Sequence, residues 1–264
     1  RGYTQLFLTK RQLSAALILF LLVPAAGGIR STISERKDRN AEDSVRVALI
    51  QQNNDPRKSQ YRETFNILKV LSDEALRVEP DLVVWSETAF VPNIRRWGSL
   101  SPKQHYLARL VDDLKRYQTN REMWLLTGND DYELKESDGE TVYEHYNASV
   151  FFKPDGTRED TYRKMKLVPF TESFPYRKQL PQLYDLLIEM DVNLWERGDR
   201  RVVFEHPKLA FSTPICFEDS FPGEVRAFVK AGAQAIINIS NDYWSLTEIE
   251  GTQHFMNSLF RAVE

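Results

Sequence analysis

The chain has 264 residues, enough for one large domain or at most two, and its 42% hydrophobic residues allow a sizeable core. Its 35 basic and 38 acidic residues leave a net charge of -3, which argues against a nucleic-acid-binding protein because such proteins carry a basic excess. The single cysteine excludes an intrachain disulfide, a Cys-x-x-Cys redox site and a multi-cysteine zinc site, and the four histidines show no metal-binding spacing.

The N-terminal 30 residues contain the longest apolar run of the chain. Residues 13–29 carry no charge, follow Lys10 and Arg11, and as a helix would cover roughly 25 Å. We predict a transmembrane helix segment over 1–30, a fragment of a longer membrane region. A cleaved signal sequence and a buried core helix are the alternatives. The polar stretch 31–44 is predicted to be a linker.

From residue 45 the pattern alternates between β-rich runs and helical stretches. Apolar runs predict strands over 45–51, 81–85, 123–127, 201–205, 209–217 and 235–240. Apolar residues at spacings of three or four predict helices over 61–75 and 107–117, and further helices are predicted over 222–231 and 251–264. A Pro-Asp-Gly turn at 154–156 joins strands 142–153 and 158–164 in a hairpin. The alternation and the hairpin together predict an α/β domain over 45–264 with mixed sheets and helices covering their faces.

Three residues with reactive side chains follow predicted strands. In open α/β sheets chemistry collects at the carboxyl ends of strands, where Glu87, Lys164 and Cys216 fall. A cysteine at a strand-to-helix turn exposes its sulfur and acts as a nucleophile when a base or a cation is close. Each residue also has a simpler interpretation: Cys216 as a buried small hydrophobe, Glu87 as a capping or solvated loop acid, and Lys164 as an exposed strand lysine.

Taken together, three segments resemble the nitrilase (carbon-nitrogen hydrolase) superfamily, whose members use a Glu-Lys-Cys triad in this chain order. The segments are Trp85-Ser86-Glu87, Tyr-x-Lys-x-x-Leu-Val-Pro-Phe-x-Glu from Tyr162 to Glu172, and Cys216-Phe217-Glu218. More narrowly, they are similar to the catalytic domain of the apolipoprotein N-acyltransferases. Ser240-Asn241-Asp242-Tyr243-Trp244 resembles the loop beside the pocket of that domain. Thr171, Phe217, Ser245 and Leu246 depart from the common pattern.

The resemblance implies a nitrilase-like α-β-β-α sandwich over 45–264, C-terminally truncated, preceded by one membrane-helix segment. It implies Glu87 as the base, Lys164 as the triad lysine and Cys216 as the nucleophile. The implied supporting residues are Glu172, Glu218, Phe217, Asn241 and Trp244.

The implied reaction transfers a fatty acyl chain from a phospholipid, through a thioester on the cysteine, to the N-terminal amine of a diacylglyceryl-cysteine lipoprotein. It requires no metal or organic cofactor and no nucleic acid. The implied location is the bacterial inner membrane, with the catalytic domain on the periplasmic side.

Two other functions stay open. The chain could be an amidase or carbamoylase of the same superfamily that hydrolyses a small amide, or a catalytically inactive, membrane-tethered binding domain. The apolar run before the domain argues against the first, and the intact set of Glu87, Lys164 and Cys216 argues against the second.

Two apolar-rich stretches, 90–100 and 170–195, predict lipid contact, with ordinary cover for the sheet as the alternative.

Overall fold

The computed structural model describes residues 14, 17, 18, 20–22, 25, 27–29, 32, 44–102, 104–137, 140–190, 192, 194–245 and 247–263. The described positions between 14 and 32 are helical, and the rest of the predicted transmembrane segment and nearly all of the predicted linker lie outside the described residues. Among the residues described, no helix has the length and apolarity needed to cross a membrane. The chain divides into two compact units, 1–44 with 262–264 and 45–261, and the sheets described below belong to the second.

Strands and helices alternate through the second unit, as the sequence pattern predicts. The strands are β1 (Val47–Ile50), β2 (Leu82–Trp85), β3 (Leu125–Ser137), β4 (Glu140–Phe152), β5 (Arg158–Arg163), β6 (Phe204–His206), β7 (Leu209–Ser212) and β8 (Ala235–Ile236). The α-helices are α1 (Tyr61–Ala75), α2 (Ile94–Gly98), α3 (Tyr106–Asn120), α4 (Pro181–Glu189), α5 (Pro222–Lys230) and α6 (Glu248–Val263). Two 3₁₀ turns, Cys216–Ser220 and Asp242–Trp244, carry residues of the predicted site.

The strands form two mixed sheets. The first has the order β1-β2-β3-β4-β5, in which β1, β2 and β3 run parallel and β4 pairs antiparallel with both β3 and β5. The second has the order β6-β7-β8, with β6 antiparallel and β8 parallel to β7. Because β2 and β5 run in the same direction, their carboxyl ends lie at the same edge of the first sheet, and Glu87 and Lys164 follow those ends.

Two apolar cores lie on the two faces of the first sheet. Alternate residues of β2 enter different cores: Val83 and Trp85 pack with α1 and α3, whereas Leu82 and Val84 pack toward the second sheet. The second core also contains Phe228 of α5. Helices against one sheet, two sheets face to face and a helix against the second sheet agree with the predicted α-β-β-α sandwich.

Three strands differ most from the sequence prediction, and two helices, α2 and α4, form where none is predicted. β3 extends to Ser137 and forms a long hairpin with β4. The sequence did not predict this extension because the second half of β3 is polar and largely exposed and so shows no apolar pattern. The predicted strand 209–217 ends at Ser212, before Pro214, which has no N–H to contribute to a sheet. The predicted strand 235–240 shrinks to two residues, with one isolated bridge between Ile215 and Ile239.

The stretch 90–100 follows the alternative interpretation, as cover for the sheet. Phe90 and Ile94 are buried members of the first core. Trp97 is partly buried and its ring stacks on His105. These apolar side chains therefore stabilise the domain from within and beside the first core.

Candidate active site

A buried lysine lies between two carboxylates at the carboxyl edge of the first sheet. Lys164 directly follows β5, and its side chain is 0% exposed. Its Nζ lies 2.7 Å from Glu172 Oε1 and 3.4 Å from Glu87 Oε1. Burial alone would lower the pKa of Lys164, but the neighbouring negative charges, with Glu87 foremost, raise it. The side chain is therefore an ammonium ion at neutral pH, and the exposed-lysine alternative is wrong.

The Glu87 carboxylate receives hydrogen bonds on both of its oxygens. Oε1 accepts from Asn147 Nδ2 at 2.7 Å and from Lys164 Nζ at 3.4 Å. Oε2 accepts from the main-chain N–H of Asn241 at 3.1 Å. Glu87 is only 6% exposed, so it is not a solvated loop acid. Donors on both sides fix the orientation of this buried carboxylate.

Cys216 begins a 3₁₀ turn in a left-handed backbone conformation. Its φ is 51°, a region that non-glycine residues seldom occupy and that recurs at active sites. The conformation is held from both sides: the Cys216 N–H donates to the Ile239 carbonyl at 2.8 Å, and the Cys216 carbonyl accepts from Asn238 Nδ2 at 3.0 Å. The backbone at the sulfur-bearing residue is thus fixed by the segment that follows β8.

The Cys216 thiol is protonated in the resting protein. Burial and the negative charge of Glu87 raise its pKa to about 12, although Lys164 acts in the opposite direction. At neutral pH a thiol with this pKa needs a base to become a nucleophile. Glu87 is the carboxylate whose charge acts most strongly on it.

The predicted supporting residues occupy different positions around these groups. Glu172 contacts the Lys164 ammonium through Oε1, and its Oε2 accepts from the Val168 N–H at 2.8 Å. Asn241 contributes its main-chain N–H to Glu87. Phe217 is partly buried beside the second core, and Trp244 ends the second 3₁₀ turn, with its side chain outside the described residues.

The Glu218 carboxylate binds main-chain N–H groups near the site and does not bind the Lys164 ammonium. Its buried carboxylate accepts hydrogen bonds from the Tyr162 hydroxyl and from the main-chain N–H groups of Met165, Lys166 and Ile215. Glu218 therefore supports the site through main-chain hydrogen bonds. One carboxylate joins the segment after Lys164 to the segment before Cys216.

A second polar cluster, which the sequence analysis did not assign, borders Cys216. His254 Nδ1 lies 3.1 Å from Asp242 Oδ1, and Nε2 lies 3.5 Å from Asp219 Oδ1. These carboxylates, Asp219 first, raise the pKa of His254 to about 10. A His254 ring nitrogen, an Asp242 oxygen and the Cys216 sulfur lie within 4.8 Å of one another. A transition metal uses such donors, but here it would have to displace a tightly held proton.

Asn147 is a further residue of the site, to which the sequence analysis assigned no role. It lies on β4, is 1% exposed, and its Nδ2 reaches Glu87 at 2.7 Å and Glu172 at 3.4 Å. The available signal was its chemistry: an amide side chain in the buried half of a strand needs polar partners.

Comparisons with known proteins agree with this architecture. Residues 46–264 match the family model described as carbon-nitrogen hydrolase. The chain is 39% identical over 243 residues to Apolipoprotein N-acyltransferase 1 of Treponema denticola, covering 86% of this chain and 45% of the relative. The protein of the same name from Treponema pallidum is 40% identical over 237 residues, covering 86% of this chain and 43% of the relative. This chain therefore spans less than half the length of these two relatives.

Solved structures show the same fold at low sequence identity. A carbon-nitrogen hydrolase from Helicobacter pylori G27 superposes with a TM-score of 0.53 at 16% identity, covering 82% of this chain and 68% of that chain. An amidase from Nesterenkonia sp. gives a TM-score of 0.50 at 18% identity, covering 76% of this chain and 66% of that chain. The family match extends over nearly the whole second unit and includes all the residues of the site. The chain belongs to the carbon-nitrogen hydrolase family.

Proposed function

We propose that this chain is the catalytic domain of an acyltransferase of the apolipoprotein N-acyltransferase type, with Glu87, Lys164 and Cys216 as its triad. The observation that carries the proposal is the buried Lys164 ammonium held by Glu87 and Glu172, while Glu87 and Lys164 both act on the Cys216 thiol. The names of the Treponema relatives supply the reaction type and the lipoprotein acceptor.

In the first half-reaction the Cys216 sulfur bonds to the sn-1 ester carbonyl carbon of a phospholipid while Glu87 takes the thiol proton. Because the thiol pKa is about 12, the proton leaves as the bond forms. Lys164 and the Phe217 N–H stabilise the oxyanion, and loss of one such donor typically costs about 10²–10³ in rate. The ester C–O bond then breaks, Glu87 returns the proton to the lysophospholipid oxygen, and a thioester remains on Cys216.

In the second half-reaction the N-terminal amine of a diacylglyceryl-cysteine lipoprotein attacks the thioester carbonyl. A new C–N bond forms, Glu87 accepts a proton from the amine, and that proton returns to sulfur as the C–S bond breaks. Water must be kept from the thioester, because hydrolysis would divert the acyl group. Side chains and one main-chain N–H of the protein perform every step of this scheme, and it uses no metal or organic cofactor.

We place this reaction at the periplasmic face of the bacterial inner membrane, where a phospholipid donor and a lipoprotein acceptor are both present. The charge-free run 13–29 follows Lys10 and Arg11, which favours a cytoplasmic start and an outward exit. Phe170, two residues before Glu172, is 65% exposed and offers an apolar contact beside the site. Both features support a membrane-tethered enzyme over a hydrolase of small dissolved amides.

The test is acyl labelling of the full-length protein in membranes. A phospholipid with an alkyne-tagged sn-1 chain is expected to label Cys216 through a hydroxylamine-sensitive thioester and to pass the label to a lipoprotein. Cys216→Ala should abolish both signals, and Glu87→Gln should lower labelling by about 10²-fold or more because the general base is lost. Glu205→Gln, at an exposed position of β6, is the matched control and should label normally.

Other outcomes would identify the other two functions. Ammonia release from small amides, without lipid labelling, would identify an amidase or carbamoylase. A folded protein that reacts with neither substrate would be an inactive binding domain.

A further inference from the structure

His254 of α6 is a largely buried histidine beside the nucleophile, and the reaction described above does not use it. Its side chain is 13% exposed. Nδ1 lies 3.1 Å from Asp242 Oδ1 and 3.3 Å from Ser240 Oγ, and Nε2 lies 3.5 Å from Asp219 Oδ1. The ring is thus bracketed by two carboxylates, one on each side. A carboxylate close to each ring nitrogen favours the protonated imidazolium.

Hydroxyl groups hold the two carboxylates in place. Asp219 is 1% exposed and accepts from Ser258 Oγ at 2.7 Å. Asp242 Oδ1 accepts from Ser240 Oγ at 2.7 Å. Both carboxylates accept hydrogen bonds beside the ring, and together they raise the pKa of His254 to about 10. His254 is an imidazolium ion at neutral pH.

The charged ring is close enough to act on the sulfur of Cys216. A His254 ring nitrogen, an Asp242 oxygen and the Cys216 sulfur lie within 4.8 Å of one another. Among the residues that the structure describes, the charged groups close to the sulfur include Glu87 after β2, Lys164 after β5, Asp242, and His254 on α6. Two of these are cations. Without His254, the negative charge of Asp242 would stand uncompensated beside a sulfur that must itself become an anion.

We propose that His254 is a positioning residue for the Cys216 nucleophile: its imidazolium, held by Asp219 and Asp242, offsets the negative charge of Asp242 beside the sulfur, so that the thiolate can form there. This inference rests on the proposed function only for the role of Cys216 as the nucleophile. The ring also ties α6 to the turn that carries the cysteine, because Asp219 and Cys216 belong to the same 3₁₀ turn.

The test measures the ionisation of the thiol and needs no lipid substrate. Full-length protein is treated with iodoacetamide from neutral to strongly alkaline pH, and alkylation of the Cys216 peptide is followed by mass spectrometry. Between about pH 7 and 9, where the wild-type ring is charged, alkylation of His254→Gln should be about 10-fold slower than that of the wild type. The two rates should converge as the pH rises through about 10, where the ring loses its proton. A profile that superimposes on the wild-type profile would overturn the proposal.

His206→Gln is the matched control for the loss of a buried histidine. His206 is 8% exposed, lies on β6, and its Nε2 lies 3.1 Å from the Asp81 carbonyl. Burial lowers the pKa of His206, so it is neutral at pH 7 and adds no charge. Its substitution should leave the alkylation profile unchanged. A shift equal to that of His254→Gln would show a general effect of lost packing and would contradict the proposal.

A charge variant of the opposite sign keeps the proposal testable if His254→Gln does not fold. Asp242→Asn removes a negative charge near the sulfur, while Asp219 still holds the ring charged. Its alkylation midpoint should therefore fall below that of the wild type, whereas a purely structural role for the cluster predicts no fall. The alkylation test is independent of the proposed acyltransferase activity. If the alkylation profiles behave as stated but no acyl labelling occurs, the acyltransferase proposal is refuted and the proposed role of His254 is retained.

Discussion

At the scale of single residues, the charge on His254 couples folding to pH. Its pKa is raised from 6.5 to about 10, chiefly by Asp219 and Asp242, so the folded state holds the proton more tightly than the unfolded state. The resulting stabilisation is fully present below pH 6.5 and is lost as the pH rises through about 10. We expect the free energy of unfolding of the wild type, relative to that of His254→Gln, to decline steadily across this interval.

Urea unfolding followed by tryptophan fluorescence at several pH values measures this difference. Taking it between two variants removes the contributions of titrating groups that do not contact His254. A difference that stays constant over the interval would mean that the ring is neutral in the folded chain.

The sequence predicted which reactive residues come together after strands better than it predicted which other side chains contact them. Glu87 and Lys164 come after strands that end at one edge of a sheet, so their proximity follows from the topology. Asp219 and His254 meet only because α6 packs on the turn after Cys216, and no periodic pattern states which side of a helix faces a turn. The sequence alone therefore could not predict the contact between Asp219 and His254.

At the scale of elements, the position of Glu87 depends on a close approach between β3 and the loop after β2. A Cβ at Gly128 would lie 2.5 Å from the Thr88 nitrogen, 2.6 Å from the Ser86 oxygen and 2.7 Å from the Glu87 Cα. All three are main-chain atoms, which cannot rotate away as a side chain can. Only glycine therefore fits at this position of β3.

Gly128→Ala should push the Glu87 loop away from Lys164. A displacement of about 1 Å is enough to reduce acyl transfer about 10²-fold, and the melting temperature should fall as well. Gly223→Ala in α5 is the control, because an added Cβ there meets no atom within 4 Å. Equal labelling by the two variants would show that the loop adjusts without moving the carboxylate.

Elements were predictable from sequence to the extent that they are buried. All four residues of β2 are buried, and its apolar run predicts the strand closely. The outer half of the β3–β4 hairpin, the five-residue α2 and the two-residue β8 lack a repeated apolar pattern because they are exposed or very short. A repeated apolar pattern marks residues that are buried, so elements outside the cores cannot be predicted from it.

At the scale of the whole molecule, the segment 170–190 presents an apolar surface next to the site. Its exposed large hydrophobic side chains are Phe170, Tyr176, Leu180, Leu183, Leu186, Ile188 and Met190. Ring contacts link Phe170 with Phe174 and Tyr176. The same segment carries Glu172, so one stretch of chain connects this surface to the Lys164 ammonium.

We expect this 170–190 surface to bind phospholipid vesicles. Leu183→Glu combined with Met190→Glu should weaken flotation of residues 45–264 with vesicles about 10-fold or more, because two apolar contacts are replaced by charges that resist burial in lipid. Val229→Glu, at a 54% exposed position of α5, is the control and should float normally. Alkylation of Cys216 should be unchanged in both variants, which separates lipid contact from damage to the site. Undiminished flotation of the double variant would mean that the lipid reaches Cys216 past another face of the domain.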